Sequence, residues 1–311
     1  MPDYLDRQPD LNDPETVSAF DELPLWSAYF GRLLLAHVPI GPHRTVLDLG
    51  FGTGFPALEL AQRLGPTCQV HAIDPWGAAL ERASLKAQVY GARNLTLHLG
   101  SAAALPFPEA YFDLIVSNLG VNNFDDPAAV LAECRRVAKP GARLALTTNL
   151  QGHMAEFYEV FQAVLTALKP DALEALRRHV EHRATIQGLR ELFAASGFRL
   201  DTVHEDSFRM RFLDGSSLLN HILIRLGFLP DWKQVVPPED REAVFTRLEA
   251  ELNEVASRAG ELALTVPMAY VEAGVASGEE RSQAPGAGRV GTGLTPGGSH
   301  SRGIGRRPAG T

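Results

Sequence analysis

The segment VLDLGFGTGFPALELA, Val46 to Ala61, constrains this chain more than any other. An apolar run, Thr45–Leu49, leads directly into Gly50, Gly52 and Gly54, and a helical pattern begins at once. Glycines permit the tight turn this junction needs, and their missing Cβ lets a ligand approach the backbone closely. In an open parallel sheet such a loop lies at the carboxyl end of the first strand, where ligands bind at the topological switch point.

The rest of the first half repeats the alternation. Strands are predicted at Gln69–Ile73, Asn94–Leu99, Phe112–Ser117 and Arg143–Thr148, and helices at Phe55–Leu64, Pro75–Tyr90 and Pro127–Ala138. Five short apolar strands separated by helices predict an α/β fold, a mostly parallel sheet covered on both faces. Ahead of them, Pro14–His37 reads as helical with an interruption at Pro24. After Leu150, helices are expected at Met154–Leu168, Asp171–His182 and Thr185–Ala195, then a strand at Phe198–His204. A helical insertion follows at Ser216–Ala259, and a last strand at Leu262–Glu272. This divides the chain into a helical cap (1–44), a ligand-binding core (45–150), the remainder of the same domain with its insertions (151–274) and a tail (275–311).

Composition narrows the function classes. The tail from Gly278 to Thr311 carries ten Gly, three Pro and five Arg with no aromatic residue, so it is expected to be disordered. Over the whole chain 29 basic residues face 37 acidic ones, a balance that disfavours nucleic acid or anionic lipid as a partner. No apolar run reaches the length of a membrane span, and the acidic N-terminus lacks a signal-peptide pattern. A cytoplasmic location is the expectation. Cys68 and Cys134 are too few for a disulfide framework and are expected to be packed thiols.

Twenty residues beyond Gly54, Asp74 ends the second strand, where a carboxylate can accept hydrogen bonds from the hydroxyls of a bound ribose. It can equally cap the helix that follows. Two cofactor classes fit the loop. Gly52, Gly54 and Ala57 match a dinucleotide fingerprint, which would make the protein a nicotinamide- or flavin-dependent oxidoreductase. The other reading rests on more of the chain. VLDLGFGTG, Asp74, GSAAALPFPEAYFDLIVSN and RRVAKPGARLAL, in this order and spacing, resemble the class I S-adenosylmethionine-dependent methyltransferases, and within them the group acting on small molecules.

The resemblance implies a Rossmann-like seven-stranded, mostly parallel sheet, with helices on both faces, helical insertions and an antiparallel strand near the end. It implies S-adenosyl-L-methionine as cofactor. Gly50 and Gly52 would approach its methionine part, with Asp48 beneath them and Gly54 completing the cofactor loop, and Phe51 is expected to tighten the pocket. Asp74 would hold the ribose, with Pro75 and Trp76 following it and Trp76 packing on the adenine. Ser101 and Ala102 would lie near the adenine amino group, Ser101 replacing the aspartate usual there, and Asn118 near the cofactor's amino-acid end.

The acceptor is expected to be a small, largely hydrophobic molecule, because the cap and insertions are rich in aromatic residues: Trp26, Tyr29, Phe30, Phe157, Tyr158, Phe161, Phe212 and Phe228, with Leu218 and Ile222 among them. Methyl transfer from a sulfonium needs chiefly alignment, and a general base only if the acceptor arrives protonated. His153, just past the fifth strand, is the candidate base, with His182, His204 and His221 as alternatives. A sensor or partner subunit that binds the cofactor without turning it over is the non-enzymatic reading.

Overall fold

The computed structural model describes residues 2–6, 10–22 and 26–276. The interruption at Pro24 and the glycine-rich tail beyond Ala276 lie outside the described residues. The described chain opens with helices α1 (Asp3–Asp6), α2 (Pro14–Glu22) and α3 (Ser27–His37). An alternating half follows: β1 (Thr45–Leu49), α4 (Ala57–Leu64), β2 (Gln69–Asp74), α5 (Gly77–Tyr90), β3 (Leu95–Leu99), β4 (Phe112–Asn118), α6 (Pro127–Val137) and β5 (Ala138–Asn149). Next come α7 (Ala155–Leu168), α8 (Leu173–Glu181), α9 (Ile186–Ala195) and β6 (Phe198–Phe212). The insertion then supplies α10 (Gly215–Asn220), α11 (Ile222–Gly227), α12 (Leu229–Val235) and α13 (Arg241–Ala259), and β7 (Leu262–Val275) ends the described chain.

The seven strands form one sheet in the order β3-β2-β1-β4-β5-β7-β6. The first five run parallel, and β7 is antiparallel to both β5 and β6. The order reverses between β1 and β4, so the loops leaving these strands open a crevice at the sheet's carboxyl edge. This is the expected class I methyltransferase arrangement.

Residue alternation on the strands explains the two covered faces. Leu47, Ile115 and Leu144 point to one side, where Val130, Leu131 and Cys134 of α6 and Leu189 and Phe193 of α9 cover them. Their neighbours Val46, Leu114 and Ala145 point to the other, against Phe30, Leu33 and Leu34 of α3 and Leu58 and Leu60 of α4. Fully burying a side chain such as Leu34 or Leu47 stabilises by roughly 1.5–3 kcal/mol. Both cysteines are free and buried, and burial raises both thiols, that of Cys134 to about 12.

The insertion has a core of its own, in which Phe157 and Phe161 of α7, Trp232 of α12 and Phe245, Leu248 and Leu252 of α13 pack together. Tyr4 and Leu5 of α1 belong to the same cluster. The Tyr4 hydroxyl donates to Glu249 at 2.9 Å and the Lys233 ammonium to the Leu5 carbonyl at 2.7 Å. The start of the cap is therefore fastened to the insertion, not to the core it precedes. The strand predicted at Phe198–His204 continues to Phe212, paired with β7 along its whole length. Among the described residues no helix is long and apolar enough to cross a membrane.

Candidate functional site

The glycine loop behaves as its composition demands. Gly50, Gly52 and Gly54 all take positive φ angles, 78°, 51° and 114°, a region that other residues enter at a steric cost. A Cβ on Gly50 would lie 3.4 Å from the Gly120 Cα, so the loop after β1 and the turn after β4 approach closely, whereas a Cβ on Gly52 would meet open space. Phe51 departs from expectation. Its ring does not tighten the pocket; it is 1% exposed and packs among Ala57, Ala72 and Ala83, beneath the loop. The three alanines leave a volume there that a smaller residue would not fill.

Asp74 ties the loop to the next βα junction. One carboxylate oxygen accepts the Gly52 N–H at 2.8 Å and the other the Trp76 N–H at 2.8 Å. The backbone thus orients the carboxylate while leaving each oxygen further acceptor capacity. Burial raises its pKa and these two hydrogen bonds work against the rise. Asp48 lies deeper. It is fully buried and both its carboxylate oxygens lack a hydrogen-bond partner. Burial, reinforced by the nearby Asp74 charge and only partly offset by the Ala57 N–H at the start of α4, pushes its pKa up to about 8.

Trp76 is held by the cap. Its indole N–H donates to the Leu11 carbonyl at 2.8 Å, and its ring stands edge-on to Phe20 of α2 at 5.5 Å. Pro75 is exposed beside it. The next junction supplies Ser101, exposed, whose hydroxyl accepts the Ala103 N–H at 3.2 Å, and Ala102, buried. Asn118 ends β4 with both side-chain ends engaged: its Nδ2 donates to the Ser27 carbonyl at 3.1 Å, and its Oδ1 accepts the Thr147 hydroxyl at 2.8 Å. The fold thus brings Asp48, the glycines, Asp74, Ser101, Ala102 and Asn118 to one edge.

These residues fit a sulfonium nucleoside. Open space over Gly52, a carboxylate fixed at the loop mouth and a buried carboxylate below are what a cationic, ribose-bearing ligand requires.

His153 sits where β5 has given way to α7. It is 2% exposed, and neither ring nitrogen has a hydrogen-bond partner. Trp26 stands edge-on to its ring at 5.3 Å and Phe228 stacks on it at 5.6 Å. Trp26 also touches Phe30, Phe208 and Phe228. Burial, aided by the charge of Arg183 and by His179 and His182, holds His153 well below the ordinary histidine pKa. Two non-glycine residues in left-handed conformation flank the site: Leu119 at φ 68°, immediately after Asn118, and Met154 at φ 50°, immediately after His153. Such conformations cost of order 1–3 kcal/mol and concentrate at functional sites.

Several predicted pocket residues lie elsewhere. Phe157, Phe161 and Leu218 are fully buried in the insertion core. Tyr29 is 40% exposed and stacks on Phe208 at 4.0 Å. Among the alternative histidines, His204 stacks on His37 and His221 accepts the Leu223 N–H at the start of α11. Phe208 and Arg183 were not anticipated, although both face this region. Phe208 follows the polar run Glu205-Asp206-Ser207, which hides the strand's continuation.

Comparison with known proteins bears on this geometry. The family model described as a methyltransferase domain matches residues 47–146, from β1 into β5. A demethylmenaquinone methyltransferase of Deinococcus radiodurans is 40% identical over 188 residues, covering 56% of this chain and 74% of that protein. Another, from Lactiplantibacillus plantarum, is 31% identical over 191 residues, covering 58% of this chain and 80% of the relative. The chain belongs to the S-adenosylmethionine-dependent methyltransferases. The YcgJ protein of Bacillus subtilis shares the fold, with a TM-score of 0.54 at 18% identity over 81% of this chain and 100% of that one. As a methyltransferase the protein uses S-adenosyl-L-methionine, and the dinucleotide reading of Gly52, Gly54 and Ala57 is set aside. The non-catalytic sensor is set aside with it.

Proposed function

We propose that this methyltransferase acts on a small, largely apolar organic acceptor, bound between α3, the start of α7 and the insertion, with the cofactor across the carboxyl edge of the sheet. The observation that carries the acceptor site is the buried, unpartnered imidazole of His153 between Trp26 and Phe228. A buried polar group without a partner costs roughly 1–3 kcal/mol, and a ligand that hydrogen-bonds the imidazole removes that cost. The aromatic rings beside it suit an acceptor with an apolar, flat body. Two relatives are named for demethylmenaquinone, also a small-molecule acceptor.

In this reading Asp74 holds the ribose hydroxyls, and Gly50 and Gly52 admit the methionine part. Trp76, Ser101 and Ala102 border the adenine, and Asn118 borders the amino-acid end. The cofactor supplies a methyl group already activated on a cationic sulfur. The chain's own task is to align the acceptor's nucleophilic atom with that carbon and keep water away, an orientation effect on the order of 7–11 kcal/mol. Trp26 stands next to the cofactor side, because the backbone carbonyl of the following residue, Ser27, is the one Asn118 holds. His153, kept neutral by its surroundings, is available to take a proton from an acceptor that arrives protonated. The working location is proposed to be the cytoplasm.

Binding of indole, a neutral aromatic probe, in the presence of S-adenosylhomocysteine tests the acceptor site. Trp26→Ala is expected to weaken indole at least tenfold while cofactor affinity changes less than threefold. Undiminished indole binding in that variant would place the acceptor elsewhere.

A further inference from the structure

The turn that follows β4 is fastened to β5 by two asparagines. β4 pairs with β5 as far as Asn118, which lies opposite Thr147. Past that point β5 goes on pairing with β7, Thr148 opposite Ala269 and Asn149 opposite Met268. The chain leaving β4 meanwhile turns through a short 3₁₀ segment, Gly120–Asn123, and this brings Asn122 back to the end of β5.

Both ends of the Asn122 amide are used there. Its Nδ2 donates to Asn149 Oδ1 at 2.8 Å, and its Oδ1 accepts the Thr148 hydroxyl. Asn118 accepts the Thr147 hydroxyl at 2.8 Å. Successive side chains of a strand point to opposite faces, so the asparagines grip β5 from both sides, one through Thr147 and the other through Thr148. Thr147, Thr148 and Asn149 are all buried.

Leu119 lies between the two grips and is held at φ 68°. Its N–H donates to the Thr147 carbonyl at 3.1 Å, and its carbonyl accepts the Asn122 N–H at 3.1 Å. A leucine persists in this left-handed conformation only where its surroundings over-determine it, and both neighbouring anchors are in place here. The next residue is seated just as tightly. A Cβ on Gly120 would lie 2.3 Å from Ser117 Oγ and 2.8 Å from the Leu49 carbonyl oxygen. The Ser117 hydroxyl itself donates to that carbonyl at 2.8 Å. The turn after β4 is thereby pressed against the point where β1 passes into the glycine loop.

We propose that Asn122 is a positioning residue for the amino-acid end of the cofactor. By fixing the turn to β5 it keeps Asn118, Leu119 and Gly120 against the glycine loop, in place to receive that end. It acts through these residues and not on the reacting atoms. The proposal deepens the reading that puts Asn118 beside the cofactor's amino-acid end, and rests on it.

Two ligands that share an adenosine but differ at the amino-acid end test it: S-adenosylhomocysteine, which has that end, and 5′-methylthioadenosine, which lacks it. Each is titrated calorimetrically into the full chain. Asn122→Ala is expected to weaken S-adenosylhomocysteine at least tenfold and methylthioadenosine less than threefold. Asp74→Ala should weaken both alike, because both carry the ribose. Adding Leu119→Gly to Asn122→Ala takes away the steric cost of the positive φ and is expected to restore part of the lost S-adenosylhomocysteine affinity. A merely structural Asn122 would weaken both ligands to the same degree, and that result overturns the proposal. Unchanged S-adenosylhomocysteine affinity overturns it too, as does a double variant that recovers nothing. Asn118→Ala separates this proposal from the reading beneath it. If Asn118→Ala loses S-adenosylhomocysteine selectively and Asn122→Ala does not, the amino-acid end is placed correctly and the role of Asn122 is wrong. If neither variant discriminates between the ligands, the amino-acid end lies elsewhere and both fail together. Unfolding midpoints without ligand report whether each variant is folded. Should Asn122→Ala not fold, Thr148→Val, which removes the hydroxyl that Asn122 accepts, is held to the same tenfold and threefold limits.

Discussion

At the scale of single residues, Asp48 is the most exposed to experiment, because its two environments differ so much. Its carboxyl is raised from the ordinary 3.8 to about 8 in the folded protein, chiefly by burial. Between roughly pH 4 and 8 the unfolded chain has therefore lost this proton while the native chain retains it. The native state binds more protons, so this group's contribution to stability falls as pH rises across that window. Asp48→Asn removes the contribution. The variant without cofactor is expected to be more stable than the parent by on the order of 3 kcal/mol at pH 8, the scale of an uncompensated buried charge. At pH 5 the gain should be smaller. Urea unfolding at the two pH values measures this, and identical pH dependence in both proteins would mean that Asp48 is not held protonated. A cationic ligand bound above the carboxylate would reverse the preference.

At the scale of elements, α2 acts as a cover. Asp21 pairs with Arg82 at 2.7 Å and Lys86 at 2.8 Å, both on α5. Lys86 in turn donates to the Thr53 carbonyl of the glycine loop at 2.9 Å, and Phe20 lies on Trp76. One short helix thus meets α5 and the tryptophan proposed to border the adenine, and it reaches the glycine loop through Lys86. Asp21→Asn should speed S-adenosylhomocysteine dissociation about tenfold, the equivalent of ~1.4 kcal/mol, read by stopped-flow fluorescence of the tryptophans. An unchanged dissociation rate would remove α2 from the exit path. Helix α3 is fitted just as closely to the loop. A Cβ on Gly31 would lie 1.9 Å from a Phe55 ring carbon, so glycine is what allows α3 to seat against the residue that follows Gly54.

At the scale of the whole molecule, α1 and the insertion share one apolar cluster, while each face of the sheet carries a large one of its own and a small fourth lies under the glycine loop. S-adenosylhomocysteine at about 100 times its dissociation constant should add roughly 2.7 kcal/mol of stability. For a chain of this size the unfolding midpoint should rise by several degrees. NADH at the same concentration should leave the midpoint in place, and a matching shift with NADH would reopen the dinucleotide reading of the loop.

The sequence by itself determined the parallel half of the sheet, the glycine loop and the position of Asp74, because those depend on short-range pattern. Apolar runs of five or so residues, glycines at fixed offsets and a carboxylate at a strand end are all local. It determined the cofactor class as well, since four motifs occur in order along one stretch of chain. Only the tertiary structure decided what surrounds His153. Trp26 and Phe228, which touch its ring, and Phe208, which touches Trp26, come from three separate parts of the chain, and none has a spacing that announces a neighbour. Nor did the aromatic stripes reveal which members are core. Phe157 and Phe161 fill the insertion while Trp26 and Phe228 face the imidazole, a distinction set by how helices pack and invisible to periodicity. The same reason accounts for the missed half of β6. An edge strand has one neighbour and tolerates polar residues on its open sides, so Glu205-Asp206-Ser207 looks like a loop until the long apolar run of β7 pairs with it.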